Sequence, residues 1–292
     1  MKRVFYYLFG IALILGSCEK EDVNQENFNT DMDEVSTRKA GKVDVCHYDS
    51  VTDSWKAINI SGNAVKGHLK HGDYLGSCKE PVPTDGLIAY YPFNGNANDE
   101  SGNGYDGIVD GATVAEDRYG NSASSYGFDG INDYVSSPID MGSIFDVGDA
   151  ITFSLWMNSG HTNLNYYDFI LGGVPGGGPI FFASVKEGDQ GKIRVRLYGG
   201  GHGISDSSVL DGNWHHIVWG VDSSGIPFFY VDGVIQSSPP SIGSYTGETE
   251  LVFGSRLDGS LPFKDFYTGY IDDIRIYDRG LSNGDVQILY NE

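Results

Sequence analysis

Between residue 86 and residue 292 the chain repeats one pattern: a short run rich in Val, Ile, Phe and Tyr, then a few residues of Gly, Asn, Asp or Pro. LIAYYPF, SYGFDG, DYVSS, AITFSLWMN, FILGG, PIFFASV, KIRVRLYG, WHHIVWGVD, PFFYVDGV, TELVFGS and GYIDDIRIYD are such runs, and DGIND, VDSSGIP and VDGV are among the turns. Many short strands joined by tight turns bury their apolar faces by closing into a two-sheet sandwich or a barrel. The 41 glycines and 19 tyrosines agree with a β-rich chain. In ITFSLWMN, Ile151, Phe153, Leu155 and Met157 alternate with Thr152, Ser154 and Trp156, which gives one core face and one mixed face. The helical exception is LSNGDVQILYNE at the C-terminus. There Ser282 and Asp285 make a capping-box-like pair, and Val286, Leu289 and Tyr290 share an apolar stripe.

The formal charge of −21 argues against nucleic acid as a partner, because phosphates need Lys and Arg. The N-terminus, MKRVFYYLFGIALILGSC, has a basic start, an apolar run from Val4 to Leu15 and small residues before a Cys, the pattern of a secretory signal. LILGSC resembles a bacterial lipobox, which implies cleavage after residue 17 and lipidation of Cys18; a plain signal leaving Cys18 free is the alternative. The apolar run is too short for a stable membrane-spanning helix. A lipid on Cys18 would therefore be the membrane attachment, expected at the outer membrane. Residues 18–41, charged and without period, read as a disordered tether reaching about 25–30 Å. CEKED also resembles the acidic export signal of some surface-exposed lipoproteins.

Residues 42–79 form a small module: two short strands around DSVTDS, then a helix capped by Ser61 and running to about His71. Fewer than about forty residues bury little core, so a staple is expected, and Cys46 and Cys78 are the even pair of an exported chain. His47, His68 and His71 lie in the same module, with His68 and His71 on one helix face. Two readings stand: structural histidines beside a disulfide, or a Zn2+ site, although the spacing matches no standard zinc pattern. The stretch resembles a small module with the pattern CH…HLxHGDxxGxC found in other exported bacterial proteins. Residues 80–85 read as a Pro-containing linker.

GLIAYYPFNGNANDESGNGYDG, SSYGFDGINDYV, ITFSLWMN, DGNWHHIVWGVD, FFYVDGVIQ and YTGYIDDIRIYDRGLSNGDVQILYNE together resemble, in order, the signatures of laminin-G-like domains of the concanavalin A-like lectin/glucanase superfamily. The resemblance implies an all-β jelly roll of two antiparallel sheets over residues 86–292, with the first and last strands adjacent. It also implies a structural Ca2+ held by an Asp of the last strand. Strict alternation in YIDDIRIY places Asp272 on the face of Ile274 and Ile276, where an ionised carboxylate costs several kcal/mol unless it is neutralised. Asp272 is therefore the expected calcium ligand, with Asn94, Asp99 and Asp129 as further oxygen donors. The alternative is a hydrogen-bonded Asp272, or one salt-bridged to Arg275 or Arg279, and ordinary Asx turns for the other three.

Catalysis is not expected. Glucanases of this fold carry E-x-D-x-x-E or E-x-D-x-E on one strand, so that two carboxyl groups stand about 5–5.5 Å apart, and neither spacing occurs. His215 and His216 point to opposite faces of one strand and read as packed histidines. No G-x-S-x-G, H-E-x-x-H or phosphate loop is present. What remains is binding of a glycan, or of a surface protein, at a loop rim. Tyr166, Tyr167, Tyr198, His202, Phe266 and Tyr267 are the expected contact residues, beside glycine-rich loops.

Overall fold

The structure is a computed structural model that describes residues 41–49, 54–78, 81–162, 167–173, 181–244, 250–256 and 265–292. The expected signal segment, Cys18, the tether and Tyr166 lie outside the described residues. The chain divides into two compact units between Lys79 and Glu80.

In the first unit β1 (Lys42–Asp49) pairs antiparallel with β2 (Ser54–Ser61), Lys42 facing Ser61. Helix α1 (Gly62–Leu69) starts where the Ser61 hydroxyl accepts the Asn63 amide. The two-residue strand β3 (Tyr74–Leu75) then joins the free edge of β1, with Tyr74 opposite Cys46. Val45, Cys46 and Val65 are the buried apolar side chains among the described residues of this unit. So small a core does not hold a fold alone. The expected Cys46–Cys78 disulfide is present and closes the unit.

The second unit is an antiparallel sandwich. Its strands are β4 (Leu87–Tyr91), β5 (Ile108–Asp110), β6 (Thr113–Ala115), β7 (Ser125–Asp129), β8 (Tyr134–Asp140), β9 (Ile151–Asn158), β10 (Tyr167–Gly173) and β11 (Phe181–Lys186). They continue with β12 (Ile193–Arg196), β13 (Gly203–Ile204), β14 (Trp214–Val221), β15 (Pro227–Val231), β16 (Val234–Ile235), β17 (Glu250–Phe253) and β18 (Thr268–Tyr277). The short helix α2 (Met141–Ile144) follows β8, and α3 (Asn283–Tyr290) ends the chain under the reciprocal Ser282–Asp285 box expected from its sequence.

One sheet runs β13-β12-β11-β10-β17-β8-β5. The other runs β16-β15-β14-β9-β18-β7-β6, with β4 also on β18. Ile151, Phe153, Leu155, Ile217, Trp219 and Ile271 meet Val135, Leu171, Val185, Val195 and Phe253 between the sheets. Each such buried side chain contributes about 1.5–3 kcal/mol. The first and last strands of the sandwich are neighbours, Leu87 standing opposite Tyr277.

Strand β18 departs from strict alternation. It pairs with β7 up to Ile271 and with β4 from Ile274 onward, and its register against β9 slips between Asp272 and Arg275. Asp273 is the extra residue, at φ 47°, in the left-handed region that Asp tolerates better than most residues. A bulge flips everything beyond it to the other face. Ile271, Ile274 and Ile276 therefore all point into the core, whereas Asp272 and Arg275 point outward, opposite Trp156 and Ser154. The expectation that Asp272 shares a face with Ile274 and Ile276 is corrected by this one residue.

Candidate functional site

The outer face of the eight-stranded sheet is laid down in rows by the pairing of β14, β9 and β18. Trp214, Asn158 and Tyr270 form the first row, His216, Trp156 and Asp272 the second, and Val218, Ser154 and Arg275 the third. Helix α3 covers the later rows: Val286 and Leu289 pack on Val218, Tyr230 and Tyr277, while Tyr290 stacks on Trp156 and His216 at 5.9 and 6.2 Å. Among the described residues, nothing comparable covers the first row, where Tyr270 is exposed.

There the sheet opens into a groove of about 360 Å³ lined by the ends of β7, β9 and β18 and their loops, including Asp129, Asp133, Asn158, His161, Thr268 and Tyr270. Tyr270 is 44% exposed, and its ring centroid lies 6.4 Å from that of half-buried Trp214. Gly127 stands opposite Tyr270 on β7 and has no side chain to lift the ring, since a Cβ there would lie 3.2 Å from it. The polar rim is held firmly. The Ser159 hydroxyl donates to the Thr268 carbonyl at 2.7 Å, Tyr267 donates to the Asn158 carbonyl at 3.0 Å, and His161 Nδ1 lies 3.2 Å from Asp168. Asp133 accepts the Asp129 amide at 2.9 Å, and burial followed by the nearby Asp129 charge raises the Asp133 pKa. An aromatic pair flanked by Asn, Asp, His and Thr offers stacking to an apolar ring face and hydrogen bonds to hydroxyl groups.

Under α3, the second and third rows carry a buried charge network. Arg118, from the loop between β6 and β7, reaches Asp272 at 3.2 Å and Asp273 at 2.6 Å, and its guanidinium lies 4.6 Å over Trp156. Arg275 reaches Asp273 at 3.5 Å and Glu292 at 2.8 Å, and stacks on Tyr90 at 4.1 Å. Burial first, and then Asp273, push the Asp272 pKa well up, and Arg118 pulls against them. Asp272 is thus paired with a guanidinium and, with its pKa raised, holds its proton to higher pH than an ordinary carboxyl.

The oxygen set expected for calcium does not fit there. Asp99 already accepts from the amides of Tyr90, Ser101 and Tyr105 and from the Ser101 hydroxyl, which hold its pKa down despite burial. It also sits at the opposite end of Tyr90 from Asp273, which accepts the Tyr90 hydroxyl. Asp129 faces Thr268, four residues and so about 13 Å along β18 from Asp272, and accepts the amides of Ile131 and Asn132. Asn94 does line the same cleft as Asp272.

Of the expected contact residues, Tyr198 and Tyr267 are corrected. Tyr198 is 2% exposed against Phe181, with its hydroxyl on the Asp149 carbonyl, and Tyr267 is fully buried beside Phe128. Phe266 is half-buried, and His202 is exposed beside Phe182 with Arg194 on its Nδ1. Tyr167 begins β10, and its side chain lies outside the described set. His215 and His216 are packed as read: His215 is held by Asp211 and Asp232, and His216 is buried on Ser154. Tyr270, Trp214 and Arg118 carry the site and the network, and the sequence reading missed all three. Alternation in GYIDDIRIYD and NWHHIV marks Tyr270 and Trp214 as outward, whereas Arg118 sits in a loop with no periodic signal.

Two antiparallel sheets with a groove at one end define a jelly-roll class of fold. Residues 129–287, more than half of the chain, match the model of the concanavalin A-like lectin/glucanases superfamily, and the chain belongs to it. Among solved structures it is similar to domain 4 of AbnA, a GH43 extracellular arabinanase from Geobacillus stearothermophilus, in complex with arabinotriose. The two share 23% identity at a TM-score of 0.52, over 70% of this chain and 98% of that domain. Trypanosoma rangeli sialidase in complex with sialic acid is similar at 15% identity and TM-score 0.55, over 73% of this chain but only 34% of the sialidase. The botulinum neurotoxin serotype D binding domain is similar at 18% identity and TM-score 0.54, covering 71% and 52% of the two chains. At these identities the likeness shows the fold. No curated protein matches the chain.

Proposed function

We propose that this protein recognises carbohydrate, without catalysis, in the groove at Tyr270, next to Trp214. The observation that carries the reading is the exposed Tyr270, backed by half-buried Trp214, beside a fixed rim of Asn158, Asp129, Asp133 and His161. The solved complex of a structurally similar domain with arabinotriose, matched over 98% of that domain, supports it. The carboxylates in the groove serve turn amides, a positioning role. As an exported chain lipidated at Cys18, the protein would display this groove at the outer surface of the cell. No helix among the described residues is long and apolar enough to cross a membrane.

The test is a glycan array probed with the wild-type protein and with Tyr270→Ala and Trp214→Ala. Saturable binding weakened at least about tenfold in each variant, roughly 1.4 kcal/mol, is expected. Binding indifferent to both changes refutes this site. Turnover of any polysaccharide refutes the non-catalytic reading, and retention of a surface protein without any sugar favours adhesion.

A further inference from the structure

The pattern residues of the small unit converge on one point. Asp73 Oδ2 lies 2.8 Å from His47 Nδ1 and 2.7 Å from His68 Nδ1, and the three ligand atoms all lie within 4.8 Å of one another. His47 comes from β1, His68 from the last turn of α1, and Asp73 from the turn that follows it. Each position is fixed by a neighbour. Cys46, next to His47, is bonded to Cys78 and paired with Tyr74, which itself follows Asp73. Gly72 and Gly76 take φ of 89° and 98°, the left-handed backbone that lets the chain turn on both sides of Asp73 and Tyr74.

The Asp73 side chain is 1% exposed, and its second oxygen accepts the Tyr48 amide at 3.1 Å. That is the outer hydrogen bond a ligating carboxylate commonly has. Burial alone would raise the Asp73 pKa, but His47, the Tyr48 amide and His68 outweigh it and hold it near 2, so the group is an anion at neutral pH. The two imidazoles are partly open to solvent, 37% and 27% exposed.

We propose that His47, His68 and Asp73 form a Zn2+-binding site with three protein ligands and a position open to solvent. Two imidazoles and a carboxylate are a donor set Zn2+ takes at about 2.0–2.2 Å. In a tetrahedral arrangement such ligand atoms stand about 3.3 Å apart, so separations of 2.7 and 2.8 Å widen by about half an ångström when the metal replaces the shared protons. Small rotations of two partly exposed rings supply that movement. His71, on the same helix face as His68 in sequence terms, is not in the cluster and serves as the internal control.

The test is titration of the untagged, oxidised, metal-free protein with Zn2+ by calorimetry, together with X-ray absorption of the zinc-loaded wild type. One equivalent bound, scattering from two imidazoles, at least about a 100-fold loss of affinity in His68→Ala and Asp73→Asn, and none in His71→Ala are expected. The absorption measurement needs no variant, so it stands even where a variant unfolds the small unit. Absence of saturable binding, binding unchanged in Asp73→Asn, or a zinc shell without imidazole overturns the proposal and leaves His47–Asp73–His68 a hydrogen-bonded staple.

Discussion

Replacing Arg118 by methionine tests how the acid of the last strand is kept in place. Arg118 is 7% exposed and is the group within salt-bridge reach of Asp272; its loss leaves the Asp272 and Asp273 side chains, 3% and 11% exposed, facing each other with only Arg275 at 3.5 Å from Asp273. Breaking one partner out of a buried pair costs about 3–5 kcal/mol. The stacking of the guanidinium on Trp156 and Tyr119 adds about 0.5–2 kcal/mol, part of which methionine recovers by packing. The sign of the pH dependence follows from Asp272. Its folded pKa is raised above the unfolded 3.8, so both states are protonated well below that value and the penalty accrues as pH rises. The variant's deficit against wild type should be about 3–5 kcal/mol near neutrality, where Arg118 is lost from Asp273, and should widen as pH rises through about 8, where wild-type Asp272 ionises and the variant's, without Arg118, stays protonated. Urea unfolding followed by tryptophan fluorescence at about pH 6, 7.5 and 9 measures it. A deficit below about 1 kcal/mol at neutral pH, or one equal at all three pH values, would refute the reasoning.

His216 is buried, and burial first, then Arg275 and Arg118, push its pKa down to about 3. Its contribution is full above the unfolded 6.5 and is lost as pH falls from 6.5 toward 3, so His216→Leu should flatten the acid side of the stability curve by a few kcal/mol. Parallel slopes for the two proteins in that window would contradict this. Cys46→Ser with Cys78→Ser opens a loop with a sequence separation of 32 and should cost the small unit about 4 kcal/mol. Hydrogen exchange should then show lost protection in β1, β2 and α1 while β9 and β14 stay protected; unchanged β1 would sink the prediction.

Much of the architecture was legible. ITFSLWMN alternates because one face meets the opposite sheet, and Ser282 with Asp285 announced α3, since both effects are local. The disulfide followed from parity. Asp272 was misread for an equally physical reason: alternation assumes one residue per pleat, and the bulge at Asp273 has no glycine to flag it. Its ion-pair partner, Arg118, lies 154 residues away, a distance no spacing rule crosses. Tyr198 and Tyr267 stand beside glycines like rim residues, but their hydroxyls find backbone carbonyls inside the sandwich. The small unit hid its cluster because Asp73 joins His47 and His68 only after β3 folds back on β1.

The pairing of β4 with β18 sets how the sandwich carries a pull. The chain enters at Leu87, beside Tyr277, whereas the groove lies at Thr268, at the far end of the same ten-residue strand, about 30 Å away. Tension between a molecule held in the groove and the N-terminal segment runs lengthwise along the two strands. The rungs joining them are then strained together in shear, and no single rung at the edge can peel first.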